Sequence, residues 1–155
     1  MSTCSSSARP LKIGIIGFGN FGQFLSKTMI KQGHSLRATS RSDHSEVCKE
    51  LGIPFYRYLH SKNRKSIFKL NVMTNSVFSH RDMGAFLESE NEVVLICTSI
   101  LSLSEVVKPM PFDSVKRPTL FVDVLSVKEY PRDLLLQVCK FNHFLSHGGS
   151  SVSWP

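Results

Sequence analysis

No run of apolar residues in this 155-residue chain approaches the ~20 that a helix needs to cross a bilayer, so no spanning helix and no membrane partner is expected. The first ten residues, MSTCSSSARP, have no apolar core and no acid. The missing core excludes a secretory signal. The Ser-rich, Arg-bearing composition leaves two readings, the stub of an organelle transit peptide or a plain disordered start over 1–10. The four cysteines, at 4, 48, 97 and 139, show neither C-x-x-C nor metal-ligand spacing, so they read as reduced thiols in a reducing compartment. His143 and His147 stand four apart, but no H-E-x-x-H glutamate separates them and no third ligand is evident. They read as tail histidines, and no metal site is expected.

Acid is missing from one long stretch. Residues 57–81, RYLHSKNRKSIFKLNVMTNSVFSHR, carry six of the 19 Lys and Arg and no Asp or Glu. The other thirteen basic residues (19 less 6) stand against 12 acidic ones, so the net charge of +7 is local. A charge confined to one segment is not the footprint of a nucleic-acid-binding face. The segment reads as a solvated, mobile basic insertion, with a phosphate or RNA contact as the alternative.

Against these absences, 41% of the residues are apolar and 20% charged, the balance of one globular domain. LKIGIIG (11–17) is a β-branched apolar run ending at glycine, the pattern of a buried parallel strand. Phe21, Phe24, Leu25, Thr28 and Met29 then recur at helical spacing, predicting a helix over 20–32 with that face on the sheet, stopped by Gly33. Further strands are expected at 34–40, 53–57, 92–99 and 119–124, with a helix at 42–52. Ser102 and Glu105 have the spacing of a capping box, opening a helix that carries Leu103, Val106, Val107 and Met110. Pro131 fits the first turn of a last helix running to about Val138. Strands alternating with helices specify an α/β, doubly wound parallel sheet of the Rossmann type over 11–138, with five strands in the order 3-2-1-4-5.

Gly17, Gly19 and Gly22 form G-x-G-x-x-G between the first strand and the first helix, the context that gives this motif meaning. The first glycine permits a tight turn, the second lets a pyrophosphate approach the backbone, and the third lets helix and strand pack closely. The helix N-terminus supplies N–H groups and a positive dipole end. An NAD-type site places Asp or Glu at the end of the second strand. Here the residues are Thr39, Ser40 and Arg41. An arginine can bind a 2′-phosphate bidentately, with Ser40 and Ser42 as further donors, so NADP is the expected cofactor. Asp43 would be the ribose acid only if the strand ended later.

The stretches LKIGIIGFGNFGQFLSKTMIKQGHSLRATSRSD, EVVLICTSILSLSEVV and PTLFVDVLSVKEYPRDLLLQV resemble the prephenate/arogenate dehydrogenase family, its plant members most closely, over 11–56 and 82–138. The resemblance implies oxidation of arogenate or prephenate with NADP or NAD and loss of carbon dioxide, giving tyrosine or hydroxyphenylpyruvate. It further implies a small-molecule substrate, a homodimer and a chloroplast location, with a cytoplasmic one as the alternative. The cofactor-contacting positions would be Gly17, Phe18, Gly19, Asn20, Phe21 and Gly22, then Ser40, Arg41 and Ser42, then Cys97, Thr98, Ser99 and Asp123. By the same resemblance Ser126 of the D-x-x-S-x-K stretch meets the ring hydroxyl, with Lys128 beside it; otherwise Ser126 would be a helix N-cap. In the family a histidine after a sixth strand shares that hydroxyl. Residues 139–155 do not match that region, and no all-helical substrate and dimerisation domain follows. The expectation is therefore a cofactor-binding domain that is catalytically incomplete. The alternatives are a non-catalytic nucleotide-binding fragment, or another NADP-dependent reductase such as a pyrroline-carboxylate or imine reductase.

Overall fold

A computed structural model describes residues 9–58, 81–116, 118–138 and 144–146. The strands are β1 (Lys12–Ile16), β2 (Ser35–Ser40), β3 (Phe55–Arg57), β4 (Val93–Ile96), β5 (Leu120–Asp123) and β6 (Phe144–Ser146). The helices are α1 (Asn20–Lys31), α2 (Ser45–Glu50), α3 (Arg81–Glu88), α4 (Ile100–Val107) and α5 (Glu129–Val138). All pairings are parallel, and the sheet order is β3-β2-β1-β4-β5-β6. The expected order 3-2-1-4-5 is present. One strand is added to the expected five: β6 lies in the 139–155 segment and aligns Phe144 with Phe121, Leu145 with Val122 and Ser146 with Asp123. The outer edge of β5 offers unpaired N–H and C=O groups, and a short segment of chain satisfies them.

Both faces of the sheet are covered, which is why β1 reads as a continuous apolar run. On one face Ile13, Ile15, Leu36, Ala38 and Leu95 pack with Phe18, Cys48 and Ile53 and with Leu25, Met29 and Val47 of α1 and α2. On the other, Ile16, Val94, Ile96 and Phe121 pack with Phe86 and Leu87 of α3, Leu103, Val106 and Val107 of α4, and Leu134 and Leu135 of α5. Each fully buried Val, Leu, Ile or Phe among them contributes about 1.5–3 kcal/mol of transfer free energy. At the start of β1, Glu92 Oε2 accepts the Lys12 N–H at 3.0 Å and Oε1 meets Arg9. This ties the chain entering β1 to the chain entering β4.

Two local expectations change. The face of α1 on the sheet is not the aromatic one: Phe21 and Phe24 are 51% and 64% exposed, while Gly22 and Ser26 are buried. The helix lies too close to β1 for a large side chain at Gly22, where a Cβ would sit 2.5 Å from the Gly17 carbonyl oxygen. The capping box does not form at Ser102. The helix α4 opens at Ile100 behind an extended Ser99, whose carbonyl accepts the Ser102 N–H at 3.0 Å, so Ser102 lies inside the first turn. The residues at either end of the basic segment lie in or beside elements of the fold. Arg57 belongs to β3, and the buried Tyr58 donates its N–H to the Ser40 carbonyl at 3.2 Å. Arg81 opens α3. Residues 59–80 lie outside the described residues, as do 1–8, His143 and His147.

Candidate nucleotide-binding site

In a parallel sheet the strands' C-terminal ends lie together, and the crevice opens where the strand order reverses. Here that point is between β1 and β4, the two strands on which the glycine loop converges. Gly17 has φ +93°, left-handed backbone that a side chain resists. A Cβ there would lie 2.9 Å from the Cys97 carbonyl carbon and oxygen, and the Gly17 N–H reaches Thr39 O at 2.8 Å. The turn is thus wedged between the ends of β2 and β4. Gly19 differs: it is exposed, and nothing lies within 4 Å of where its Cβ would be. Asn20 and Phe21 open α1 beyond it, with no acidic residue in the first turn. The leading N–H groups of a helix have no intrahelical partner and favour an anion. Phe18 contributes backbone only, because its ring is fully buried and meets His44 edge-on.

At the end of β2, Thr39 is committed to the sheet, its hydroxyl donating to Tyr56 O at 2.7 Å. Ser40 is buried, while Arg41 and Ser42 are exposed. The Arg41 Nη2 donates to Ser102 Oγ at 3.0 Å, and Nη1 lies 3.5 Å from Glu105 Oε2. The strand ends at Ser40, so Asp43 is not its terminal acid. Its carboxylate instead accepts the Ser45 N–H at 3.0 Å and meets Arg57 at 3.4 Å. Hydrogen bonds from Ser45, chiefly, hold the Asp43 carboxyl below its ordinary value. Neither Ser102 nor Glu105 was singled out for this site from sequence, because only the fold brings α4 beside the loop after β2.

At the end of β4, Cys97 donates its N–H to Ile16 O at 2.7 Å, and burial pushes its thiol up to about 12. Part of its surface nonetheless remains accessible. Thr98 Oγ1 is buried with no partner, and Ser99 is exposed. At the end of β5, Asp123 is fully buried. Its Oδ1 accepts from Lys128 Nζ at 3.0 Å and from the Leu125 N–H at 3.2 Å, while Oδ2 has no partner. Lys128 therefore fastens the β5–α5 loop to the strand end. Ser126 is exposed in that loop. It is not a helix N-cap, since α5 begins at Glu129. Among the described residues no three His, Cys, Asp or Glu side chains group as metal ligands, and no helix is long and apolar enough to cross a membrane.

The open position at Gly19, the acid-free start of α1 and the arginine after β2 together fit a dinucleotide, pyrophosphate at the loop and ribose at β2. Residues 12–127 match the family described as NADP oxidoreductase coenzyme F420-dependent. The chain belongs to this family. Its domain is that of a nicotinamide-cofactor oxidoreductase. Two relatives from Arabidopsis thaliana are similar over 127 residues, 82% of this chain: arogenate dehydrogenase 1, chloroplastic, at 46% identity, and arogenate dehydrogenase 2, chloroplastic, at 42%. The matched region spans 16% and 29% of those relatives' lengths. A putative 2-dehydropantoate 2-reductase from Enterococcus faecalis shares the fold of this family member, with a TM-score of 0.58 at 13% identity over 88% of this chain and 40% of that one.

Proposed function

We propose that this chain is the NADP-binding domain of an arogenate dehydrogenase, an enzyme that converts arogenate to tyrosine with loss of carbon dioxide. The observation that carries the cofactor choice is the end of β2, where Arg41 follows the last strand residue and the nearest carboxylate along the chain, Asp43, is turned to Ser45. Gly17, Gly19 and Gly22 and the first N–H groups of α1 would hold the pyrophosphate, and Arg41 with Ser42 the 2′-phosphate. Bound NADP would supply the hydride acceptor. Ser126 would present its hydroxyl to the substrate's ring hydroxyl, and Lys128 would fix the loop that carries it by its bond to Asp123. The names of the two Arabidopsis relatives support a small-molecule substrate and a chloroplast location. Neither a nucleic acid nor a membrane enters this reading, and dimerisation would rest on parts of the family's enzymes that the matched region does not include.

Calorimetric titration with NADP and NAD tests the assignment. NADP binds more tightly, and Arg41→Ala loses about 1–3 kcal/mol of NADP affinity, the scale of a charge-assisted hydrogen bond, with little change for NAD. Equal affinities in the wild type, or a larger NAD loss in the variant, would refute it.

A further inference from the structure

Arg41 already has anionic company. From the end of β2 its guanidinium reaches α4, donating to Ser102 Oγ at 3.0 Å and facing Glu105 Oε2 at 3.5 Å. The strands β2 and β4 flank β1 on opposite sides, and α4 follows β4. The contact thus bridges the place where the strand order reverses, the place where a dinucleotide lies in such folds. A guanidinium has five N–H donors in one fixed fork and no acceptor. A carboxylate and a phosphate compete for the same fork, and each repels the other.

We infer that Glu105 is a specificity-determining residue: its carboxylate holds part of the Arg41 fork and so limits the preference for a 2′-phosphorylated dinucleotide over an unphosphorylated one. The inference rests on Arg41 being the phosphate ligand. It adds that the discrimination is set jointly by two elements distant in sequence. Ser102, being neutral, can stay beside Arg41 when a phosphate arrives; Glu105 cannot do so without cost. The two side chains are 45% and 32% exposed, so solvent and salt screen the competition and its size is modest.

The test uses the whole chain and two probes lacking nicotinamide, adenosine 2′,5′-bisphosphate and adenosine 5′-monophosphate, titrated calorimetrically at low and high salt. Glu105→Gln should tighten the bisphosphate about two- to five-fold at low salt, the scale of an exposed ion pair, and leave the monophosphate unchanged. The gain should shrink at high salt and vanish when Arg41→Ala is already present, which is the signature of direct coupling. Thermal melts check that each variant is folded. If Arg41→Ala weakens the bisphosphate but Glu105→Gln leaves it unchanged or weakens it, the role given to Glu105 is overturned while the Arg41 assignment stands. If Arg41→Ala leaves the bisphosphate-to-monophosphate ratio unchanged, the cofactor assignment itself falls and this inference with it.

Discussion

Two glycines of one motif should fail in opposite ways when each becomes alanine. At Gly22 the new Cβ would meet the Gly17 carbonyl oxygen at 2.5 Å. That neighbour is backbone, so no rotamer change relieves the contact and α1 must lift from β1. Overpacking of this kind costs about 1–3 kcal/mol. A helical Gly→Ala exchange returns about 0.8–1 kcal/mol of propensity. With the clash in the upper part of its range, Gly22→Ala should lose about 1–2 kcal/mol, and the melting temperature should fall by about 3–6 °C. At Gly19 nothing lies within 4 Å of the new Cβ and φ is −74°. The poorer N-cap and the stiffer unfolded chain nearly cancel, so stability should stay within about 0.5 kcal/mol. The methyl would instead occupy space a pyrophosphate needs, and affinity for NADP and NAD alike should drop at least about tenfold, or ~1.4 kcal/mol. Thermal melts and cofactor titrations of both variants read the two effects separately. The reasoning is wrong if Gly19→Ala melts several degrees early, if it binds cofactor as wild type does, or if Gly22→Ala is as stable as wild type.

Other expectations concern thiols, acid and turnover. Burial pushes the Cys48 thiol up to about 11 and that of Cys97 to about 12, so in the folded chain both should alkylate at pH 8 at least on the order of a hundred-fold more slowly than a free cysteine; peptide mapping after iodoacetamide checks this, and rapid labelling of either refutes it. The Lys12 N–H, then Arg9, hold the Glu92 carboxyl below its ordinary value of 4.5. The unfolded chain therefore takes up this proton first, and Glu92 contributes fully above pH 4.5 and loses its contribution as pH falls through its folded value. Glu92→Gln should flatten the stability profile in that acid range, and an unchanged slope in acid denaturation would count against the clasp. Lys128 Nζ is engaged by Asp123, and an unactivated serine is a poor proton acceptor near neutral pH. The 155-residue chain with arogenate and NADP should thus show only background NADPH absorbance; a rate abolished by Ser126→Ala would show a base acting beside that serine.

Much of the fold could be read from period alone. Continuous apolar runs locate β1, which ends at Gly17, and β4, because a strand covered on both faces needs apolar residues at every position. The orientation of α1 could not be read so, since Phe21 and Phe24 look like a core face until the close approach at Gly22 turns them outward. The Ser102 spacing misled because two serines compete for the cap: Ser99 takes it with extended backbone, and its hydroxyl donates to Ser102 Oγ at 3.1 Å and accepts no backbone N–H of the first turn. The sixth strand rests on pairing at an edge, a property of β5 more than of Phe144–Ser146. At the candidate site, the glycine loop and Arg41 are local in sequence, and their places after β1 and β2 follow from the strand pattern. The Glu105 contact lies 64 residues from Arg41 in number, and only the parallel topology brings the two together.

The anchoring of Tyr58 and Arg81 bears on how this architecture accommodates change in length. Tyr58 is buried in the same cluster as Met83 and Phe86 of α3, so the core holds both the residue after β3 and the helix that Arg81 opens. Between them stand the 22 residues 59–80. The entropy of closing a flexible connection grows only with the logarithm of its length, about 0.6 kcal/mol per doubling. The junction after β3 is consequently an entry port. A change in length beyond Tyr58 should carry little thermodynamic cost, provided that the bonds of Arg57 and Tyr58 to the end of β2 are kept. A reporter peptide or a second module grafted at this junction would inherit a carrier whose cofactor loop, on the far side of β2, is built by other residues.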